Sequence, residues 1–148
     1  MSSTHSCQFN SIQILKVASD AVLPSRAHAD DAGLDLYSLE TVCLEPGQGK
    51  VIRTGIAMAL PVGYVGLVAD RSSMAKRGVK TAGGVIDAGY RGEIHIVMWN
   101  ISQATTELKK GERIAQLLVI PVATPQVEQV DSLDTTARGD RGFGSTGV

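Results

Sequence analysis

The chain predicts an all-β fold, a sandwich or jelly roll carrying one short helix, and three observations support this. Apolar, β-branched runs of strand length recur along it, turn signals separate them, and no long segment repeats with helical periodicity. The runs cover residues 12–17, 41–44, 49–59, 64–69, 94–100 and 114–122. The breaks carry Pro46-Gly47, Pro61-Val62-Gly63, Gly83-Gly84, Asp87-Ala88-Gly89 and Lys110-Gly111. Sixteen glycines stand against only two Phe, three Tyr and one Trp, which implies tight turns around a core of Val, Ile, Leu and Ala. The one helix is expected at Ser72-Ser73-Met74-Ala75-Lys76, with a serine as its cap and Gly78 as its stop.

With 148 residues the chain fits one domain, large enough to bury a core without disulfides or metal. A net charge of −1 argues against nucleic-acid or anionic-membrane partners, whose binding leans on a basic surface. The apolar run 117–122 is of strand length and cannot span a bilayer. Residues 1–11 are polar, lack an apolar secretory stretch, and are expected to fray; Cys7 and Cys43 read as free thiols, and the cytoplasm is the expected compartment. Residues 1–137 are assigned to the β domain and 138–148 to a flexible C-terminal arm.

That arm, Arg138-Gly-Asp-Arg-Gly-Phe-Gly-Ser-Thr-Gly-Val148, carries four glycines and one aromatic, so it cannot build a core. It is suited to wrap a ligand. Ser145, Thr146 and freed backbone N–H groups match phosphate oxygens, Arg138 adds charge, and Phe143 can lie on a flat ring. Gly139 to Thr146 imitates the spacing of a P-loop, but the lysine is missing. The ordinary alternative is a frayed, glycine-rich terminus.

Few familiar catalytic constellations occur. His5, His28 and His95 lack metal-ligand spacing, and neither cysteine stands in a nucleophile motif. What remains are polar residues set among small or apolar ones: Asp35 in Ala-Gly-Leu-Asp-Leu; Arg71, Ser72 and Ser73 at the entry to the helix; Asp87 and Tyr90 near the tip of an expected hairpin over 83–92; and Arg113 and Gln116 in an apolar strand. Taken singly, each has an ordinary reading. Asp35 or Ser72 can be a cap, Asp87 turn chemistry before Gly89, Tyr90 a strand aromatic, and Arg113 with Gln116 an internal pair.

Together and in this order, with the arm as the fifth, these segments closely resemble the five motifs of the trimeric dUTP diphosphatases (dUTPases), from about Ala27 to Gly147. The resemblance implies a β-barrel-like jelly roll, assembled as a homotrimer whose three active sites lie between subunits, with the arm of one chain closing over a site formed by others. It implies that dUTP is hydrolysed to dUMP and pyrophosphate. Asp87 then activates the attacking water, with Gln116 near that water and the phosphates. Arg71, Ser72 and Ser73 contact phosphates, Arg138, Ser145 and Thr146 contact the γ end from the arm, and Gly144 is among the substrate-binding residues. Phe143 covers uracil, and Tyr90 lies beneath the deoxyribose and excludes a 2′-hydroxyl. The stretch from Thr81 through Gly84, Val85 and Ile86 to Asp87 reads uracil through its backbone, and His95 stands among the substrate-contacting residues. Cytosine is rejected by polar mismatch, whereas thymine must be excluded by steric overlap, because one methyl is worth only ~1–3 kcal/mol. Mg2+ is expected on the triphosphate, with Asp35 near it through water at most.

Three positions depart from the family pattern. Asp70 precedes Arg71 where glycine or proline is usual, and is expected to point away from phosphate or to pair with a base. Thr81 replaces asparagine or glycine, and Arg141 adds a charge to the arm. The nearest rival, dCTP deaminase, needs a glutamate five residues beyond Gly92; that position holds Val97, which cannot move a proton. A non-catalytic trimeric scaffold is disfavoured by the joint presence of Asp87, Gln116, Arg71 and the whole arm.

Overall fold

The computed structural model describes residues 9–144 and bears out the fold class: eleven strands and one helix among the described residues. Strands β2 (Leu34–Tyr37), β11 (Arg113–Pro121), β6 (Tyr64–Ala69) and β8 (Val85–Ile86) form a four-stranded sheet in that order. Strands β4 (Gly49–Arg53), β9 (His95–Asn100) and β7 (Val79–Ala82) form a second sheet. Two ribbons complete the body, pairing β1 (Gln13–Lys16) with β5 (Ile56–Ala59) and β10 (Thr106–Leu108) with β3 (Val42–Leu44). All these pairings are antiparallel.

The core is aliphatic, as composition requires. Leu36, Leu44, Ile52, Ile94, Ile96, Met98, Ile114 and Leu117 are fully buried, each contributing about 1.5–3 kcal/mol by leaving water. Along β9 the period of two is plain, with Ile96, Met98 and Asn100 inside and His95 and Trp99 outside. Asn100 is buried without cost in unpaired groups. Its Nδ2 donates to the carbonyls of Leu44 (2.9 Å) and Ala104 (2.8 Å), and its Oδ1 accepts from Ser102.

The sequence-predicted run 49–59 is two strands, not one, because Gly55 at φ +72° turns the chain between β4 and β5. β2, β7, β8 and β10, each of two to four residues, lie outside the predicted runs. The expected hairpin over 83–92 is a corner instead: β7 pairs with β9 and β8 with β6, so Gly83 and Gly84, at φ +71° and +102°, carry the chain from one sheet to the other. Helix α1 (Ser72–Lys76) lies where expected, but its N-cap is Arg71 in extended conformation, with no side-chain capping bond. Ser72 is therefore inside the helix, and its hydroxyl does not cap it.

At the ends, residues 1–8 of the expected frayed segment lie outside the described residues, while Phe9 packs its ring against Tyr64 at 5.1 Å between centroids. From Val122, whose N–H donates to Gly63 O (2.9 Å), the chain carries no regular structure through Gly144, and nearly every residue is exposed. This exposed tail starts well before Arg138. Ser145 and Thr146 lie outside the described residues.

Candidate active site

Strand β11 is the spine of the first cleft. Its Gln116 pairs with Asp35 of β2 on one side and Ala69 of β6 on the other, so strand register sets a carboxylate, an amide and the Asp70–Arg71 segment side by side. Gln116 Nε2 donates to Asp70 O at 2.7 Å. Its Oε1 lies against Gly33 so closely that a β-carbon there would stand 2.2 Å away. Any side chain at residue 33 would dislodge the amide.

Arg71 donates from Nε to Asp35 Oδ1 (3.0 Å), and from Nη1 to Arg113 O (3.1 Å) and Ser73 Oγ (3.3 Å). Arg113 Nη1 approaches the other oxygen of Asp35 at 3.6 Å. Two guanidiniums thus share one carboxylate beside Ser72, in a cavity of about 290 Å³ whose two arginines and two aspartates, Asp31 and Asp35, balance in formal charge, with the positive charge gathered at the Arg71–Arg113 side. Asp31, at another edge, accepts the backbone N–H of His28 (2.9 Å). Such a site is fit for anionic oxygens.

A second cleft of about 170 Å³ is lined by Val85, Ile86, Asp87, Tyr90, Glu93, Ile94 and His95, none of which lines the first. Asp87 is exposed, and its carboxylate has no partner among the described residues. Tyr90 is held by a hydrogen bond from its hydroxyl to Glu93 O (2.9 Å), and its ring covers Gly92, where a β-carbon would come within 2.5 Å of the hydroxyl. Glu93 is itself anchored by Arg53 Nε (3.1 Å) and Gly55 N–H (2.8 Å), with His95 Nε2 at 3.4 Å. Burial, the largest single influence on Glu93, raises its pKa. The Arg53, Gly55 and His95 contacts together outweigh that and hold it below the usual carboxylate range.

The departure at Asp70 is resolved by the departure at Thr81. Asp70 Oδ1 accepts both the Thr81 N–H (2.6 Å) and the Thr81 hydroxyl (2.8 Å), with Lys80 Nζ 3.7 Å from Oδ2. The acid pairs with a base, as its neighbours required. Burial again acts first, raising the pKa of Asp70, but the Thr81 and Lys80 contacts bring it down overall. Thr81 is buried with amide and hydroxyl both engaged, so its own polar hydrogens are not free for a base.

The sequence-predicted residues thus fall into separate groups within one chain. Asp35, Arg71, Ser72 and Gln116 share the first cleft, with Ser73 bonded to Arg71; Val85, Ile86, Asp87, Tyr90 and His95 share the second. Gly84 turns between the sheets, its carbonyl accepting from Val68 N–H (2.8 Å). On the arm, Arg138 and Arg141 exchange Nε–H···O bonds of 3.0 Å, while Phe143, at φ +51°, and Gly144 project into solvent. Gly33 and Glu93 were not singled out from sequence; the Ala-Gly-Leu-Asp string was the one signal for the first, and nothing marked the second.

The family model described as dUTPase matches residues 19–147, which include both clefts and all but the last residue of the arm. The chain belongs to the dUTPase family. Among similar dUTPase-family relatives is a deoxyuridine 5′-triphosphate nucleotidohydrolase of Rhodococcus erythropolis, 46% identical over 141 residues that cover 93% of this chain and 86% of the relative. Another, from Solanum lycopersicum, is 46% identical and covers 92% of this chain and 81% of that protein. A mutant of the dUTPase of Staphylococcus bacteriophage 80alpha, solved with dUpNHpp, superposes with a TM-score of 0.89 at 34% identity over 94% of this chain and 99% of that one. The dUTPase of phage phi11 of S. aureus, solved as a variant with a structural Mg(II) ion, gives 0.80 at 31% identity over 85% and 100%.

dUTPases use a divalent metal, and the donor set bears on how this chain would meet one. Among the described residues no group of three or more His, Cys, Asp and Glu could hold an ion. Asp35 is already shared by two guanidiniums. These residues fit a metal carried in by phosphate oxygens and touched through water.

Proposed function

We propose that this dUTPase-family chain hydrolyses dUTP to dUMP and pyrophosphate by attack of water on the α-phosphorus, in a homotrimer whose sites each draw on more than one chain. One observation carries the reading: the anion cleft with Arg71 and Gln116 and the cleft with Asp87 and Tyr90 share no lining residue, while Phe143 projects away from the body. Neither cleft alone is a complete nucleotide site. A second and third copy supply what one chain separates, and the exposed tail from Val122 onward, with Val127 and Leu133 bare, has the reach to pass between copies.

In the assembled site Tyr90 lies under deoxyribose, where its ring occupies the space of a 2′-hydroxyl. Of the stretch Thr81–Asp87, the backbone beyond Thr81, whose N–H and hydroxyl are taken by Asp70, faces uracil beside His95, and Phe143 covers the base. Arg71, Ser72 and Ser73 meet the phosphates, joined from the arm by Arg138, Ser145 and Thr146. Asp87, exposed and unpartnered, accepts a proton from the water as its oxygen bonds to the α-phosphorus and the bond to the bridging oxygen of pyrophosphate breaks. Gln116, fixed through Asp70 O, orients that water. Magnesium on the triphosphate would neutralise the charge that grows on the leaving pyrophosphate.

The product dUMP would feed dTMP synthesis, and removal of dUTP limits uracil in DNA. No helix among the described residues is long and apolar enough to cross a membrane, and the exposed free thiol of Cys43 suits a reducing cytoplasm. Incubation with dUTP and magnesium in heavy-oxygen water tests the chemistry: label belongs in dUMP, and label in pyrophosphate would remove Asp87 from its role.

A further inference from the structure

Asp70 touches three of the segments that build the proposed sites, and the proposed mechanism uses its backbone carbonyl, which fixes Gln116, but not its carboxylate. Its carboxylate holds Thr81 through N–H and hydroxyl, its carbonyl holds Gln116 Nε2, and its chain neighbour is Arg71. It also spans two sheets. β6 ends at Ala69 in the four-stranded sheet, whereas Thr81 lies in β7 of the three-stranded one. Thr81 is where the stretch facing uracil begins. Its far end is tied to β6 by β8 and by Val68 N–H to Gly84 O (2.8 Å). Ala82 is itself paired with Val97 of β9, so the joint between the ties is Gly83 with Gly84, both at positive φ, where glycine permits more than one backbone path.

We propose that Asp70 is a positioning residue for base selection: its bonds to Thr81 fix the backbone over Thr81–Val85 at the height where uracil fits and cytosine does not. The inference rests on the proposed dUTP reading and deepens it. A carboxylate is suited to this task because it accepts two hydrogen bonds at one oxygen while Lys80 balances its charge at the other. Selection by backbone N–H and C=O groups depends on their placement, so a shift of the stretch weakens uracil binding and cytosine rejection together. The reacting groups on Asp87 and the phosphates are left in place.

The test compares the wild-type chain with Asp70→Ala, Asp70→Asn and Thr81→Val, measuring kcat and KM for dUTP and for dCTP, melting temperature and oligomer mass. Leu44→Ala, a cavity in the core below β3, serves as a control for lost stability alone. Asp70→Ala is expected to raise KM for dUTP about tenfold with a smaller change in kcat, and to lower the dUTP:dCTP ratio of kcat/KM by a similar factor. Thr81→Val, which keeps the N–H and loses the hydroxyl, and Asp70→Asn, which keeps shape and loses charge, should fall between it and wild type. Leu44→Ala should melt lower and keep the wild-type ratio. If Asp70→Ala fails to fold, the ratio in Thr81→Val and Asp70→Asn decides. A wild-type ratio in the folded variants, or an equal fall of the ratio in Leu44→Ala, overturns the proposal. A wild-type chain that does not turn over dUTP overturns the underlying reading instead.

Discussion

Asp87 and Tyr90 sit eight and five residues before His95 on the same rim, yet their surroundings separate their tasks. Asp87 is exposed with no partner among the described residues, whereas Tyr90 is fixed by its bond to Glu93 O. Asp87→Asn keeps the size and loses the base, so turnover is expected to fall by a hundredfold or more, on the order of a positioned general base, while a non-hydrolysable dUTP analogue still binds in calorimetry. Retained turnover would move the base elsewhere. Tyr90→Ala opens space below the sugar and should raise UTP turnover relative to dUTP, with base preference nearly unchanged; an unaltered sugar preference would reduce the ring to packing. Both residues were legible in the sequence because their types and order match a motif. The contact of Gln116 with Gly33 was not, since a 2.2 Å exclusion distance depends on which strands pair. Nor was the bonding of Asp70 to Thr81, though each stood out separately as a departure.

At the scale of elements, the long strands were readable, as were the short β1, β3 and β5, whereas β2, β7, β8 and β10 were not. β6, β9 and β11 carry six to nine residues of alternating or continuous apolar character, enough for a period to show. The two-residue β8 has no period at all, and the corner at Gly83 and Gly84 carries the same turn signals as a hairpin. Only pairing partners distinguish the two. Elements are also joined by carboxylates whose titration has a definite sign. Asp70 and Glu93 both have folded pKa values below the ordinary range. The folded state therefore holds its charge more readily than the unfolded chain, and the stabilisation is present above the unfolded values near roughly pH 4 and is lost as pH falls through the lower folded ones. The urea midpoint should be flat from about pH 8 to about pH 6 and fall on acidification below roughly pH 4. Thr81→Val should shrink that fall, because it removes one of the bonds that lower the Asp70 pKa. A midpoint that rose on acidification would reverse the assigned shifts.

The whole molecule places its tail outside its own core. From Val122 the chain is bare, and Phe143 is fully exposed, so removal of residues 138–148 should leave melting temperature and oligomer mass nearly unchanged while turnover falls steeply. Phe143→Ala alone should cost ~1–3 kcal/mol, the usual worth of one base stack. An arm as protected from protease without nucleotide as with it would be a structural strap. The composition of the arm was legible because glycine excludes a core; the length of the exposed segment was not, since Val127, Val130 and Leu133 read as ordinary apolar residues until their exposure is seen. The sharing of sites between chains was expected from the family resemblance alone; which residues fall in which cleft was not legible, because that depends on strand pairing. That sharing is the central claim, and subunit mixing tests it most directly. Asp87→Asn and Gln116→Met chains, each trimeric and inactive alone, are refolded together and assayed for pyrophosphate release from dUTP. Sites that take Asp87 from one chain and Gln116 from another will regain a fraction of wild-type turnover in the mixture. A mixture confirmed as hybrid trimers by mass, yet no more active than its parents, would mean that each chain completes its own site, and the account would be wrong.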